Sequence, residues 1–170
     1  MANLELVLPE IFLSLSVMFL LILGVFKKDS SKLIQNISLI ILLITAVITF
    51  NETLGVNETT LFNGSVIIDY LSSFMKIITL LAAFFTLAIS SSYLKIFKIF
   101  KIEYPILILS SVLGMMVMIS SNDLIVFYMG LELQSLALYV LATFKRDNIK
   151  SSEAGLKYFV LSALSSGLLL

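Results

Sequence analysis

The sequence contains no cysteine and no histidine, and only 13% of its 170 residues are charged. Without cysteine there is no disulfide and no thiolate chemistry, and without either residue type the usual ligands of zinc, haem and iron-sulfur centres are missing. Phosphate-binding glycine loops and basic nucleic-acid patches are absent as well. We therefore expect this chain to bind no cofactor, metal or nucleic acid, and to carry out no redox chemistry of its own.

Hydrophobic residues, in contrast, make up 59% of the chain, and its mean hydropathy is +1.09. This composition is too apolar for a water-soluble domain and is typical of a polytopic membrane protein. Six apolar stretches lie between polar segments, at residues 11–26, 33–50, 70–92, 105–121, 124–144 and from 151 to the last residue. We predict an all-α bundle of six transmembrane helices, with a short extended segment at 66–68 before the third helix.

The ends of these stretches carry further signals. Pro105 stands where a first helical turn tolerates proline, so it opens the fourth helix. Ser151 or Ser152 caps the start of the sixth helix, with Glu153 in the first turn, where an acid suits the helix dipole. The chain starts without the basic region and cleavage site of a signal peptide, which indicates an uncleaved first span. Because the sixth stretch is still apolar at Leu170, we expect the chain to be the N-terminal part of a longer protein.

Basic residues fall in every second loop. They are Lys27, Lys28 and Lys32, then Lys95, Lys98 and Lys101, then Lys145, Arg146 and Lys150. The alternate loops contain no lysine or arginine, so the charge pattern independently supports the count of six helices. The positive-inside rule places the basic loops in the cytoplasm or matrix and the N terminus outside. The short link at 121–123 makes the fourth and fifth helices antiparallel neighbours.

One acid, Glu132, lies near the middle of the apolar stretch at 124–144. An isolated acid at that depth costs roughly 2.5–3.5 kcal/mol on insertion scales, so it normally faces a partner, water or the interior of a helix bundle. The alternative is a structural carboxylate that only joins helices, but intramembrane hydrogen bonds average about 0.6 kcal/mol and offset that cost poorly. We therefore interpret Glu132 as a functional residue, with Ser135 and Tyr139 on the same helix face.

Two lysines also fall inside apolar stretches, Lys76 in the third and Lys157 in the sixth. Counted along the helices from the basic loop, Lys157 and Glu132 differ in depth by about 9 Å, which excludes a direct salt bridge in straight helices but allows water to link them. For either lysine the alternative is an anchor, whose methylene stem carries the ammonium to the nearer membrane surface. We take Lys157 as the second candidate functional residue and assign no role to Lys76.

Two segments resemble a known family. They read NDLIVFYMGLELQSLALYVL at 122–141 and EAGLKYFVLSALSSG at 153–167. Both are similar to the NuoN-type membrane subunits of proton-pumping NADH:quinone oxidoreductase, respiratory complex I, whose mitochondrial relative is NADH dehydrogenase subunit 2. The related NuoL and NuoM subunits and the Mrp cation/proton antiporters have, as a rule, a tryptophan before the equivalent acid, where this chain has Leu131. The resemblance is specific over residues 104–170 and looser before them.

The resemblance implies an antiporter-like bundle of fourteen helices with two inverted repeats. Residues 1–104 would form the three N-terminal helices, and residues 105–170 would begin the first repeat. It implies that Glu132 is the acid of the family's Glu/Lys pair and that Lys157 is the family's lysine of the sixth helix. The partner lysine, on a broken seventh helix, would lie beyond Leu170.

The implied function is proton translocation through Glu132 and Lys157, driven by NADH oxidation by quinone elsewhere in the complex. The chain would then be a subunit of an enzyme without holding a redox centre or cofactor itself. Its implied partners are protons, the lipid bilayer and other membrane subunits of complex I, with NuoM-type and NuoK-type neighbours. It would lie in the bacterial inner (plasma) membrane or the mitochondrial inner membrane.

Two alternatives from other classes stay open at this point. An Mrp-type cation/proton antiporter subunit would move ions without a redox partner. A structural membrane scaffold would use its buried charges only to fix the register of its helices. Copurification with an NADH dehydrogenase distinguishes complex I from a free antiporter.

Overall fold

The computed structural model describes residues 4–26, 31–53, 59–96, 99, 101–145 and 147–169. Within them it contains six α-helices, α1 (Leu8–Phe26), α2 (Ser31–Thr53), α3 (Tyr70–Ile96), α4 (Glu103–Ser120), α5 (Leu124–Ala142) and α6 (Ile149–Leu169). A 3-10 turn at Leu4–Val7 leads into α1. The prediction of an all-α membrane bundle with six helices is confirmed, and each helix begins or ends within a few residues of the predicted bounds.

Five of these helices, α1 to α5, are long and apolar enough to cross a membrane. The sixth has 21 residues, a length of about 31 Å at 1.5 Å per residue, which matches the hydrocarbon core of a bilayer. It is less apolar than the others because it contains several serines together with Glu153 and Lys157. The crossing of the membrane by α6 therefore stays a prediction.

Helix α4 lies at the centre of the bundle and packs against α1, α2, α3 and α5, while α6 packs on α5. The core of this bundle is made of aliphatic and methionine side chains from α1 to α4, among them Leu13, Leu20, Leu42, Leu80, Leu87, Leu109 and Met116. In lipid such side chains hold helices together by close van der Waals packing, because the hydrocarbon outside is as apolar as they are. The division of the chain into three N-terminal helices, residues 1–104, and the start of a first repeat, residues 105–170, stays a prediction.

Helices α4 and α5 cross closely at two glycines. A Cβ atom on Gly114 would lie 2.6 Å from the backbone nitrogen of Gln134, and one on Gly130 would lie 2.9 Å from that of Met118. Small residues at such crossings let two backbones approach each other. The predicted antiparallel pairing of the fourth and fifth helices is confirmed, and it fixes the backbone two residues before Glu132.

A β-hairpin connects α2 to α3. Its strands, β1 (Thr59–Leu61) and β2 (Val66–Ile68), pair antiparallel. The predicted extended segment at 66–68 is therefore confirmed, whereas its partner strand was not predicted. The side-chain amide of Asn122, in the link between α4 and α5, donates a hydrogen bond of 2.7 Å to the carbonyl of Gly64. We call this side of the molecule, where α1, α3 and α5 begin, the hairpin end.

The opposite side, where α2, α4 and α6 begin, is called the basic end. Five of the basic residues used for the orientation lie there in the described part of the chain: Lys32, Lys95, Lys101, Lys145 and Lys150. Lys27, Lys28, Lys98 and Arg146 lie outside the described residues. The placement of the N terminus on the outer side of the membrane stays a prediction.

The predicted cap of α6 is wrong. The helix begins at Ile149, before either serine, and the side-chain oxygen of Asn148 accepts a hydrogen bond of 3.0 Å from the backbone nitrogen of Lys150. Asparagine is as good a capping residue as serine, and this one comes earlier in the chain. Ser151 instead donates its hydroxyl to the carbonyl of Ala142, at 2.8 Å, and satisfies an otherwise open carbonyl at the end of α5.

Candidate functional site

Glu132 lies in the middle of α5, about 12 Å of helical rise beyond the first residue. The helix is started by Asp123, whose carboxylate accepts a hydrogen bond of 3.0 Å from the backbone nitrogen of Ile125. The Glu132 side chain is half-buried, and no side chain among the described residues donates a hydrogen bond to its carboxylate. In this part of the chain the structure therefore presents an intramembrane acid whose carboxylate is open to a partner.

Ser135 and Tyr139 follow Glu132 on α5, and both are buried. The hydroxyl of Ser135 donates a 3.1 Å hydrogen bond to the backbone carbonyl of Glu132. The hydroxyl of Tyr139 donates to that of Ser162 on α6. Both predicted polar groups thus already have partners, one within α5 and one across to α6, and a hydrated path along them stays a prediction.

The ring of Tyr139 also packs against α6. It contacts Tyr158 and Phe159 edge to face, with ring centroids 4.9 and 5.6 Å apart. This geometry is the favourable one for aromatic pairs. Tyr139 is therefore the main polar and aromatic link from α5 to α6 among the contacts described here, and it lies seven residues closer to the basic end than Glu132.

Lys157 is not brought together with Glu132. Its ammonium lies 2.6 Å from the Glu153 carboxylate, one turn nearer the basic end, and the two side chains are 67% and 56% exposed. The contacts of Tyr139 place Phe159 of α6 beside Tyr139. Glu132 lies about 10 Å of helical rise from Tyr139 along α5, toward the hairpin end. Exposed pairs of this i,i+4 kind contribute about 0.3–0.5 kcal/mol. The role of Lys157 in proton transfer stays a prediction.

The structure contains a buried ion pair, between Lys76 and Glu10, that was not predicted from the sequence. The ammonium of Lys76 on α3 lies 2.5 Å from the Glu10 carboxylate on α1, and the two side chains are 3% and 10% exposed. Lys76 therefore keeps its charge inside the bundle, paired with Glu10, and the anchor considered as one alternative for it does not describe this geometry. The sequence showed only an acid just before the first apolar stretch and a lysine about two turns into the third.

A cavity of about 270 Å³ opens between α3, α4 and α5. Its walls are mostly apolar, and the amide of Gln134 is the polar side chain that α5 contributes. The hydroxyls of Thr79 and Thr86 donate to carbonyls of their own helix. The described residues contain no group of three or more His, Cys, Asp or Glu that could hold a metal ion.

Comparison with known proteins places this geometry in a family. The family model described as "NADH:quinone oxidoreductase/Mrp antiporter, TM" matches residues 121–170. NADH-quinone oxidoreductase subunit N of Pelagibacter ubique (strain HTCC1062) is 68% identical over 170 residues, which cover 100% of this chain and 36% of that protein. The subunit N of Paramagnetospirillum magneticum is 50% identical over 164 residues, which cover 96% of this chain and 34% of that protein.

A solved structure agrees with these relatives. A chain of respiratory complex I from Thermus thermophilus, determined with bound aureothin, superimposes with a TM-score of 0.77 at 25% identity. The match covers 94% of this chain and 34% of that chain. The chain spans about a third of the length of the curated relatives it matches. The matched region at 121–170 contains both Glu132 and Lys157, and the chain belongs to the NADH-quinone oxidoreductase subunit N family.

Proposed function

We propose that the chain forms part of a proton-translocating membrane subunit of NADH:quinone oxidoreductase, respiratory complex I, and that Glu132 takes up and releases a translocated proton. One observation carries this proposal: α5 holds an acid in mid-membrane whose carboxylate has no side-chain donor among the described residues. Intramembrane acids are expensive and mark ion or proton pathways by default. The complex in which such a path would operate is inferred from the relatives, which are named NADH-quinone oxidoreductase subunit N.

The mechanism follows from general electrostatics. Burial disfavours the charged form of a carboxyl group, whereas a nearby ammonium favours it. When turnover of the complex changes the distance or the hydration between Glu132 and a lysine, proton affinity changes with it, so that a proton is bound in one state and released in the other. In this scheme Lys157 exchanges the proton on the side of the basic end. NADH oxidation by quinone takes place in other subunits, so no cofactor is needed in this chain.

The proposed partners are the other membrane subunits of the complex, with NuoM-type and NuoK-type neighbours, in the inner membrane of a bacterium. Helices α5 and α6 expose large apolar side chains, including Leu136 at 50% and Leu161 at 68%. Lipid or further membrane helices cover such surfaces in a membrane protein. An Mrp-type antiporter remains the second candidate, because the matching family description names it alongside the oxidoreductase.

The test is Glu132→Gln in the full complex, since glutamine keeps the shape of the side chain and cannot bind the proton. We expect NADH-driven proton pumping, normalised to assembled complex, to fall several-fold while assembly is kept. Glu103→Gln is the matched control, because Glu103 is an exposed acid in the first turn of α4. Pumping equal to wild type in Glu132→Gln would make this residue structural, and failure of the chain to copurify with an NADH dehydrogenase would favour the antiporter.

A further inference from the structure

Three charged side chains gather at the hairpin end, away from Glu132 and Lys157. Glu10 lies in the first turn of α1, Glu52 in the last turn of α2 and Lys76 in the second turn of α3. Because neighbouring helices run in opposite directions, these three positions come to the same end of the bundle. None of the three belongs to the Glu132 path proposed above.

The pair at the centre of this group is buried and has one open position. Lys76 is 2% exposed and Glu10 is 8% exposed. The ammonium lies 2.5 Å from Oε1 of Glu10, whereas Oε2 is buried and has no hydrogen-bond partner among the described residues. A buried acceptor without a partner costs free energy. One oxygen of this carboxylate is therefore paired with the lysine, and the other is buried without a donor among the described residues.

Glu52 adds a second carboxylate beside this pair. It is half-buried and close enough to Glu10 and Lys76 for both charges to act on its carboxyl group. With both acids ionised, two negative charges would face one ammonium, and burial disfavours such an excess charge. One added proton makes the group neutral.

The other charged groups that the structure describes near this site do not change this balance. Asp69, just before α3, caps that helix by accepting a 2.7 Å hydrogen bond from the backbone nitrogen of Ser72. This bond lowers the pKa of Asp69, so the residue stays ionised and binds no proton near neutral pH. Helix α4, which packs on α1, α2 and α3, contributes only Glu103, at the opposite end.

We propose that Glu10 and Glu52 share one exchangeable proton beside Lys76, so that the hairpin end holds a second proton-binding site. A metal cation suits the site less well, because the ammonium already occupies the cation position on Oε1 and repels a second full charge. A proton adds no such ion and turns the unpartnered Oε2 of Glu10 into part of a neutral carboxyl group. The site exchanges its proton with the solution at the hairpin end, independently of whether Glu132 translocates protons.

The test is infrared difference spectroscopy of the full complex in lipid, recorded as the pH is stepped. A protonated carboxyl group shows a carbonyl stretch that an ionised carboxylate lacks. We expect wild type to show a band that forms as the pH falls and exchanges in heavy water. Glu10→Gln should abolish the band, and Glu52→Gln should abolish it or move the pH at which it is half formed by about one unit or more.

Controls separate this site from the proposed function. Glu103→Gln and Glu132→Gln should leave the band unchanged, whatever Glu132→Gln does to pumping. Lys76→Gln removes the ammonium that favours the ionised acids, so the band should be half formed at a higher pH than in wild type. If the complex with Glu10→Gln does not assemble, the carboxyl band in Glu52→Gln and Lys76→Gln tests the proposal. A wild-type carboxyl band that is unchanged in the assembled Glu10→Gln, Glu52→Gln and Lys76→Gln variants would overturn the proposal and leave a static ion pair.

Discussion

The hydroxyl of Tyr139 donates a hydrogen bond to the hydroxyl of Ser162, and this bond joins α5 to α6. The two candidate residues of the proposed proton path lie on these same two helices, Glu132 on α5 and Lys157 on α6. Because Tyr139 is buried and its ring also packs on α6, a shift of one helix past the other has to break this contact. Tyr139 thus sets the relative position of the two candidate residues.

Tyr139→Phe tests how much the hydroxyl contributes. The ring contacts stay, so we expect a loss of only about 0.6 kcal/mol, the mean for hydrogen bonds between membrane helices. Ser162→Ala should cost about the same, and the double variant should cost no more than either single one. The free energy of unfolding of the full-length protein in mixed micelles measures all three. Additive losses in the double variant would mean that the two hydroxyls do not act as a pair.

Gly114→Ala tests the crossing of α4 and α5. The new methyl group would meet backbone atoms of Gln134 at 2.6 Å, which cannot move aside as a flexible side chain can. We expect a loss at the upper end of the usual 1–3 kcal/mol for overpacking, about 3 kcal/mol. Gly167→Ala on α6 is the matched control, since nothing in the described part of the chain lies within 4 Å of its Cβ position. Equal amounts of both variants in the membrane would contradict the crossing.

Asp69→Ala tests the cap of α3 and its dependence on pH. Losing a capping carboxylate costs about 1 kcal/mol. The hydrogen bond from the Ser72 backbone lowers the pKa of Asp69 in the folded state, so the stabilisation is present above the unfolded value near 3.9 and is lost as the pH falls through the folded value. The stability difference between wild type and Asp69→Ala should be full at pH 7 and shrink below about pH 4. A difference that is constant down to pH 3 would show that the charge is not involved.

The six helices could be predicted because hydropathy is a local property, so that each apolar stretch can be recognised from its own residues. The sequence also contains the signal for the Glu153–Lys157 pair, an acid four residues before a lysine on one helix face, although this pair was not predicted. The Glu10–Lys76 pair has no such local signal, since its members are 66 residues apart and meet only through the packing of α1 and α3. The strand at Thr59–Leu61 was missed for a similar reason: three residues carry no periodicity, and their pairing depends on the turn and on Asn122.

The environment of Glu132 shows where prediction from sequence ends. Its depth followed from counting residues in an apolar stretch, and the structure places it at that depth in α5. Which side chain it faces depends on the relative rotation of α5 and α6, and this is set by Tyr139, Phe159 and Ser162. The depth of a residue in the membrane can therefore be predicted from the sequence of one helix, whereas its contact partner depends on how two helices pack against each other.

Lys157→Arg separates a proton relay from a surface anchor. Arginine keeps the charge and the length but effectively cannot lose its proton, so a relay should fail while an anchor should not. The structure sharpens the comparison, because Lys157 is bonded to Glu153, and Glu153→Gln removes that partner while leaving a lysine that still titrates. If Lys157 is a relay, we expect NADH-driven proton uptake per assembled complex to fall nearly as far in Lys157→Arg as in Lys157→Met. The same uptake should be largely kept in Glu153→Gln. Wild-type uptake in Lys157→Arg would instead identify Lys157 as an anchor held by Glu153 and leave Glu132 as the only proton-carrying residue proposed for α5 and α6.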